Sequence, residues 1–266
     1  KDVTFYINTL LPVGPALAGR IMGKRVVYHY HENAFVKGTF YKVLATIMQK
    51  LAHKIICVSE YQASFLQQKK CVITVPNALP QNFVNRLTPN FQAAFKRKHI
   101  LMLGSLKLYK SPLEFIELTK RLPQFIFVLV INDTKENINI FIKEYKINIS
   151  KNLTIYPQQN DVVPFYNQTS LVLNLSNKKQ FVETFGLTAL EAMSAGLPVI
   201  VPTEGGIAEM VVDGENGYKI DVQNLNQIAE CIKTILSDET LYMELAQNAL
   251  AYSKRFSEAK MVNSIE

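Results

Sequence analysis

Residues 183–217 read ETFGLTALEAMSAGLPVIVPTEGGIAEMVVDGENG and hold six of the eleven glycines of the chain. Clustered glycine lets a backbone and a ligand approach closely, and Gly186 in particular would let a ligand come close. Thr184 is a candidate N-cap, and a helix starting at Phe185 would direct free N–H groups and the positive end of its dipole at an anion such as a diphosphate. The stretch therefore predicts a helix start that binds phosphate.

Two carboxylates lie in this stretch. Glu183 and Glu191 are eight positions apart, at most ~12 Å along a helix axis and turned by about 80°. A nucleotide sugar is long enough to contact both, since it has hydroxyls at each end and a diphosphate between them. Two simpler interpretations stay open, because Thr188 to Glu191 also fits a capping box and Glu183 is favourable near a helix N-terminus without any ligand.

Short β-branched or aromatic runs alternate with amphipathic stretches, which is the pattern of βαβ units. Most runs are almost continuously apolar, as strands are when helices cover both faces of a parallel sheet. The predicted strands are Val3–Asn8, Arg25–Tyr30, Lys54–Val58, Val72–Val75, Ile100–Leu103, Phe125–Ile131, Leu153–Tyr156, Leu171–Leu175 and Pro198–Val201.

A chain of 266 residues is long for one core, so two domains are expected. The pattern dissolves between Asn77 and Lys98, where we place the linker. A new unit then begins with a strand, a loop and residues 111–114 (SPLE), which combine an N-cap, a Pro at the first helical position and a capping Glu. Ser59 and Gln62 predict another capped helix start just after a strand.

Charge differs between the two halves. Residues 1–98 hold 14 Lys and Arg against three carboxylates, a net charge of +11, whereas the rest hold 15 against 19, a net charge of −4. A basic half indicates an anionic partner, such as a phospholipid surface, a phosphorylated lipid carrier or a nucleic acid. No nucleic-acid module signature accompanies the charge, and a solvated Lys-rich surface is the alternative.

The clearest helix of the basic half runs from Phe40 to Leu51. Its apolar members are Phe40, Val43, Leu44, Ile47, Met48 and Leu51, and its polar face carries Lys42, Thr46, Gln49, Lys50 and His53. A crossover helix on a sheet explains this pattern, and contact with a membrane surface is the alternative.

The three cysteines, Cys57, Cys71 and Cys231, lack Cys-x-x-Cys spacing, so they predict neither a disulfide framework nor a zinc site. They favour a cytoplasmic location, and the basic half adds a peripheral position at the inner face of the membrane. The apolar runs are shorter than the ~20 residues that span a bilayer.

Residues 183–217 resemble the donor site of family 4 of the retaining glycosyltransferases, which share a B-type fold and a Glu, seven residues, Glu signature. The matching positions are Glu183, Phe185, Gly186, Leu187, Glu191, Ala192, Gly196, Pro198, Gly205, Gly206, Glu209, Gly214 and Gly217. Weaker resemblance extends to His31-Glu32, Val58-Ser59-Glu60, Pro76-Asn77-Ala78, Gly104 to Lys110 and Phe165-Tyr166.

This resemblance implies an α/β fold class, with two Rossmann-like doubly wound parallel-sheet domains facing a cleft. An acceptor-side domain would span residues 1–88 and a nucleotide-sugar-binding domain residues 89–250. Residues 251–266 would form a crossover helix returning to the first domain. A complete first domain of the family starts with another strand, a glycine-rich loop and a helix, so the N-terminal domain is expected to be incomplete and this chain to bind donor with little or no transfer.

The resemblance also implies the roles of individual residues. Glu183 and His31 would face the transferred sugar as catalytic residues. The donor-binding residues would be Lys110, Lys107, Gly104, Phe185, Gly186, Leu187 and Glu191, with Lys110 at the diphosphate, backbone amides from residues 185–187 and Glu191 at the ribose. Lys107 is included because this chain has Ser105 where the family usually has an Arg, and whether Lys107 substitutes is open.

Some of these roles have an independent reason or a simpler alternative. A fixed cation such as Lys110 lowers the cost of the charge that a departing nucleoside diphosphate gains. An exposed loop Lys and a hydrogen-bonded His at a strand end are the simpler interpretations of Lys110 and His31.

Retaining transfer in this family is thought to proceed on one face of the sugar, with the leaving phosphate helping to deprotonate the acceptor. No protein nucleophile is then needed, and the chain has no Asp-x-Asp motif, so neither a cofactor nor a metal is implied. The expected function is transfer of a sugar from a nucleoside-diphosphate sugar to a saccharide or lipid-linked acceptor in cell-surface polysaccharide synthesis. The alternatives are a nucleotide-sugar-binding subunit without catalysis, a nucleotide-sugar epimerase or hydrolase, and a phosphate-binding flavoprotein-like domain.

Overall fold

The N-terminal part of the chain forms a four-stranded parallel sheet in a computed structural model that describes residues 3–32, 38–67 and 69–265. Its strands lie in chain order as β1 (Thr4–Asn8), β2 (Arg25–Tyr30), β3 (Lys54–Cys57) and β4 (Val72–Thr74). The connecting helices are α1 (Val13–Ile21), α2 (Thr39–Leu51) and α3 (Glu60–Ser64). Ser59 caps α3 by accepting a hydrogen bond from the Gln62 amide at 3.2 Å, which confirms the predicted helix start.

A six-stranded parallel sheet follows, with the spatial order β10-β9-β8-β5-β6-β7. Its strands are β5 (His99–Gly104), β6 (Ile126–Ile131), β7 (Leu153–Tyr156), β8 (Leu171–Leu173), β9 (Val199–Val201) and β10 (Gly217–Lys219). The helices of this part are α4 (Gln81–Val84), α5 (Phe91–Arg97), α6 (Pro112–Arg121), α7 (Lys135–Glu144), α8 (Val163–Asn167), α9 (Leu187–Ser194), α10 (Gly206–Glu209), α11 (Leu225–Ser237) and α12 (Glu239–Ser253). The fold class of two parallel-sheet α/β units is therefore confirmed.

The order of the second sheet reverses at β5. From β5 the chain adds β6 and β7 on one side, and then returns to add β8, β9 and β10 on the other side. In open parallel sheets such a switch point opens a crevice at the carboxyl ends of the two flanking strands. Gly104 ends β5, and Asn174 directly follows β8, so both residues border this crevice.

The segment predicted to be a linker, Asn77 to Lys98, contains helices α4 and α5, so the interpretation of this segment as irregular is wrong. Asn90 caps α5 by accepting from the Ala93 amide at 3.0 Å. Phe95 of α5 packs on Tyr242 of α12, with ring centroids 5.2 Å apart. Tertiary packing thus orders a stretch whose local sequence is weakly helical.

Ser111 is the N-cap residue of α6 and Pro112 is the first helical residue, as predicted, but the side-chain capping contact that the sequence indicated is absent. Ser111 has left-handed backbone angles (φ 56°, ψ 47°), and its side chain makes no capping hydrogen bond to α6. The chain arrives from a 3-10 turn at Leu108–Lys110, in which the Ser111 amide donates to the Leu108 carbonyl at 2.9 Å. This turn, rather than a capping side chain, leads into Pro112, the first residue of the helix.

The helix α13 (Glu258–Ile265) returns the chain to the first sheet. Met261 and Ile265 pack against Val27, Ile56 and Val75 on the face opposite α1 and α2. A second contact between the two units comes from Glu209, whose carboxylate accepts hydrogen bonds from the Glu60 and Tyr61 amides at the start of α3. These contacts hold the two sheets on either side of one cleft.

Candidate active site

A cavity of about 520 Å³ lies in the cleft, at the carboxyl ends of strands from both sheets. The N-terminal unit contributes His31, which follows β2, and Asn77, which follows β4. The C-terminal unit contributes Met102, Leu103, Gly104, Ser105, Lys110, Asn132, Asn174, Leu175, Ser176 and residues 183–188. Several of these residues lie at or just after the carboxyl end of a parallel strand, which is where α/β folds bind ligands.

An ion pair between Lys110 and Glu183 forms the charged part of the cavity. The Lys110 ammonium bonds the Glu183 Oε1, and the Ser176 hydroxyl donates to the same oxygen at 3.0 Å. The side chains of Lys110 and Glu183 are 23% and 16% exposed, so the pair is shielded from bulk water but still reachable by a ligand. The structure thus brings together a cation and a carboxylate that lie 73 residues apart.

Two aromatic rings position Lys110. Tyr109 and Phe181 stack with centroids 4.8 Å apart, and the Lys110 ammonium lies 4.4 Å from the Phe181 centroid. The Asn177 amide donates to the Tyr109 carbonyl at 2.8 Å, which ties the two loops together. A cation over an aromatic face is favoured electrostatically, so this arrangement restricts the lysine to the cavity.

The helix α9 starts at Leu187 with Gly186 as its N-cap, so the predictions that it starts at Phe185 and that Thr184 caps it are wrong. The reason lies in Gly186, which has φ +100° and would place a Cβ 2.5 Å from Ile207 Cγ1. The freedom of this glycine therefore serves packing against Ile207, whereas the sequence had indicated approach of a ligand. Residues 185–187 still line the cavity, and the first amides of α9 have no partner within the helix.

Gly205 and Gly206 fix the main chain that leads into α9. Cβ atoms at these positions would come 2.4 Å from the Glu183 carbonyl oxygen and 1.9 Å from the Thr184 carbonyl oxygen. The Gly206 amide also donates to the Glu183 carbonyl at 2.8 Å. The double glycine therefore lets two segments pack main chain against main chain and so places the Glu183 side chain in the cavity.

His31 belongs to a row of polar residues on the first sheet. Its Nε2 lies 2.8 Å from Asn8 Oδ1, so this nitrogen carries the proton of the neutral ring. The ring lies 4.1 Å from that of His29, which in turn bonds the Tyr6 hydroxyl at 2.7 Å. Burial lowers the pKa of His31, and burial together with the neighbouring His31 lowers the pKa of His29 to about 4. Both rings are therefore neutral near pH 7.

Glu191 lies on α9 outside the set of residues that line the cavity. Its Oε2 accepts a hydrogen bond from the fully buried Tyr166 hydroxyl at 2.5 Å. Burial raises the pKa of Glu191, and this hydrogen bond partly offsets the effect. Among the described residues Tyr166 is the only hydrogen-bond donor to this carboxylate.

A family model described as "Glycosyl transferases group 1" matches residues 86–252, which is more than half of the chain. The chain belongs to this family. An uncharacterized glycosyltransferase of Methanocaldococcus jannaschii is 37% identical over 83 residues, or 31% of this chain and 24% of that protein. The N-acetyl-alpha-D-glucosaminyl L-malate synthase of Bacillus anthracis is 29% identical over 140 residues, or 52% of this chain and 36% of that enzyme. The matched stretches thus span only about a quarter to a third of these relatives.

Among solved structures, Anabaena HepE, determined in complex with UDP and glucose, superimposes on this group 1 family member with a TM-score of 0.83. The two chains are 21% identical, and the superposition covers 98% of this chain and 76% of HepE. A likeness at this identity concerns the fold, and it agrees with the B-type fold that the resemblance implied.

Two of the predicted site residues of this family member are placed differently from the rest. The cavity collects His31, Gly104, Lys110, Glu183 and residues 185–187, but neither Lys107 nor Glu191. Lys107 is exposed, and its ammonium lies 5.7 Å from the centroid of the Tyr109 ring. Ser105, at the position where the family usually has an Arg, does line the cavity.

Three polar residues of the group 1 cavity were not predicted from the sequence: Asn132, Asn174 and Ser176. Asn132 follows β6, and the Asn174 side chain accepts from the Ser176 amide at 3.1 Å. Their signal was a polar residue at the carboxyl end of a buried apolar strand, and the predicted strand through Leu175 hid it for Asn174 alone.

Within the described ranges no cluster of three or more His, Cys, Asp or Glu side chains could hold a metal ion. No helix in those ranges is both long enough and apolar enough to cross a bilayer.

Proposed function

We propose that the chain is the donor-binding part of a retaining glycosyltransferase that uses a nucleoside-diphosphate sugar. The observation that carries this proposal is the convergence, in one 520 Å³ cavity, of the start of α9, the Lys110 ammonium and the Glu183 carboxylate. An amide-lined helix start and a cation suit the diphosphate, and a carboxylate suits the hydroxyls of the sugar. HepE forms a complex with UDP and glucose, so uridine diphosphate is the first nucleotide to test on this chain.

Donor binding would rearrange the ion pair. In the free chain Lys110 bonds Glu183, whereas a diphosphate would compete for the same ammonium and leave Glu183 to accept hydrogen bonds from the sugar. Because Ser176 also bonds Glu183, the carboxylate would stay in place when the lysine shifts. A fixed cation at the bridging oxygen then stabilises the charge that the leaving diphosphate gains in the transition state.

Glu191 would bind the ribose through its second carboxylate oxygen while Tyr166 holds the first. His31 would face the transferred sugar from the opposite side of the cleft, where Nδ1 of its neutral ring would accept a hydrogen bond from a sugar hydroxyl without adding a charge. Leaving-group oxygens would take the acceptor proton, so no protein nucleophile is required and the anomeric configuration is retained.

We propose a saccharide or lipid-linked acceptor in cell-surface polysaccharide synthesis, reached at the cytoplasmic face of the membrane. The net charge of +11 over residues 1–98 supports an anionic or membrane-bound acceptor.

A screen of nucleoside diphosphates and their sugars by thermal shift and calorimetry tests donor binding. We expect one diphosphate to stabilise the chain in a concentration-dependent manner, because a ligand that binds only the folded state raises its stability. Absence of binding by every nucleoside diphosphate would refute the proposal. For the retaining mechanism, the test is NMR of the first-formed product, in which an inverted anomeric configuration would contradict it.

A further inference from the structure

The helix α1 exposes an apolar surface. Leu17 and Ile21 are 50% and 78% exposed, and Met22, which follows the helix, is 61% exposed. The side of α1 that packs on the sheet presents Val13 and the small residues Ala16 and Gly19, the latter against Phe5 and Val26. The solvent-facing side of a surface helix is normally polar. In α1, by contrast, the large apolar side chains point to solvent.

The neighbouring helix α2 continues this surface. Phe40 and Val43, which the sequence assigned to the apolar face of a crossover helix, are 66% and 53% exposed, whereas Leu44 and Met48 are buried in the core. The two helices pack against each other on the same face of the sheet. The crossover interpretation thus accounts for half of the apolar residues of α2 and leaves Phe40 and Val43 without a role in the core.

The elements of this surface, which are α1, residues 22–25 and α2, are basic and, as far as the structure describes them, carry no carboxylate. Their cations are Arg20, Lys24, Arg25, Lys42 and Lys50. The described acidic residues of this half are Glu32 and Glu60. Glu32 accepts from the Leu10 and His31 amides beside the cavity, and Glu60 lies at the contact with Glu209.

We infer that this α1–α2 surface docks on an anionic lipid bilayer. It comprises the apolar residues Leu17, Ile21, Met22, Phe40 and Val43 and the five cations named above. The inference rests on the proposed function, for which it supplies a partner. Apolar side chains flanked by cations suit the boundary between headgroups and acyl chains, where the apolar groups leave water and the cations meet lipid phosphates.

Other occupants fit this surface less well. A second copy docked through the same patch would bring its cations against those of the first. A nucleic acid would use the cations but would leave the exposed Ile21, Met22 and Phe40 side chains in water. An anionic bilayer satisfies both the charge and the apolar area.

The test is co-sedimentation of the purified chain with vesicles of phosphatidylcholine alone or with 30 mol% phosphatidylglycerol (about one lipid in three, to resemble an anionic leaflet). We expect binding to the anionic vesicles that weakens as salt rises. Lys24→Ala/Arg25→Ala should lower the partition coefficient about 25-fold at low salt, since each cation near such a surface contributes about fivefold. Ile21→Ser/Met22→Ser should lower it by at least about tenfold at any salt concentration.

Ile140→Ser and Lys143→Ala on α7 are matched controls, because they remove an exposed Ile and an exposed Lys from the other unit. Neither should change the partition. Equal binding to both vesicle types, or wild-type partition of the Ile21→Ser/Met22→Ser variant, would overturn the inference. So would self-association that this variant abolishes in a chain that binds no vesicles, because the surface would then be a protein interface.

Nucleotide affinity, measured by calorimetry without lipid, separates this inference from the proposed function. Variants of the α1–α2 surface should bind nucleotide as the wild type does. If the chain bound anionic vesicles but no nucleoside diphosphate, this result would refute the proposed function and would still support the inferred docking surface.

Discussion

Gly206 lies outside the cavity, but it packs against the main chain beside Glu183. Replacing Gly206 with Ala should displace that main chain and so disturb the cavity. A Cβ at position 206 would lie 1.9 Å from the Thr184 carbonyl oxygen and 2.7 Å from Ser59 Cβ. Ordinary van der Waals contact begins near 3.4 Å, so the Thr184 carbonyl must move by about 1.5 Å. Gly206 lies in the helix α10, so the backbone itself accepts Ala and the cost is steric.

Overpacking of this kind costs about 1–3 kcal/mol of unfolding free energy. Because Glu183 and Thr184 line the cavity, the same displacement should also weaken binding of a nucleoside diphosphate by at least about tenfold, equivalent to 1.4 kcal/mol. Urea denaturation followed by circular dichroism measures the first effect, and calorimetry with UDP measures the second.

Gly14→Ala is the control, since a Cβ there meets no heavy atom within 4 Å and Gly14 does not line the cavity, so UDP affinity should stay that of the wild type. If Gly206→Ala kept both the denaturation midpoint and the UDP affinity of the wild type, the main chain at residues 183–184 would not be held by Gly206, and the reasoning would be refuted.

Two further predictions concern buried polar groups. Tyr166→Phe leaves the Glu191 carboxylate without its donor, so urea denaturation at pH 7 should show a loss of about 1–3 kcal/mol in unfolding free energy; Tyr145→Phe, at a partly exposed ring, should show none. Burial lowers the pKa of His29 from 6.5 to about 4, so between these values the unfolded chain binds a proton that the folded chain does not. The unfolding free energy should therefore fall as pH drops from 6.5 to 4, and His29→Gln should reduce that slope; an unchanged slope would contradict the assignment.

The strands were predictable because buried parallel strands are almost continuously apolar. All nine predicted strands are confirmed within two residues at each end, and β2 and β7 match at both ends. The strand that the sequence did not indicate, β10, has three residues, and Gly217 lets its backbone approach the Val199 carbonyl oxygen. Its pairing depends on this tertiary contact, which no periodicity reveals.

Helix starts were less predictable, because they depend on backbone angles that a motif does not determine. Residues 111–114 have the composition of a capping box, yet Ser111 adopts a left-handed conformation after a turn. At α9 the packing of Ile207 against Gly186 moves the helix start to Leu187. The helix α1 was missed because its glycines and its proline are poor helix formers, and packing of Gly19 on the sheet compensates.

The cavity was partly predictable for a similar reason. Glu183 and Gly186 belong to one continuous motif, whereas Lys110 meets Glu183 only through the order of the strands. The location of Glu191 behind Tyr166 depends on the packing of α8 against α9, which the spacing of two glutamates along one helix does not show.

Binding of UDP by Lys110→Ala and Lys107→Ala variants tests the central claim, that the cavity holds a diphosphate through Lys110. The two lysines lie in the same loop and flank the same Tyr109 ring, but only Lys110 lines the cavity. A charge-assisted contact contributes about 1.5–3 kcal/mol, so Lys110→Ala should weaken UDP binding by about 10- to 100-fold in calorimetry, and Lys107→Ala by less than about twofold. Equal losses in both variants, or no loss in Lys110→Ala, would contradict the claim.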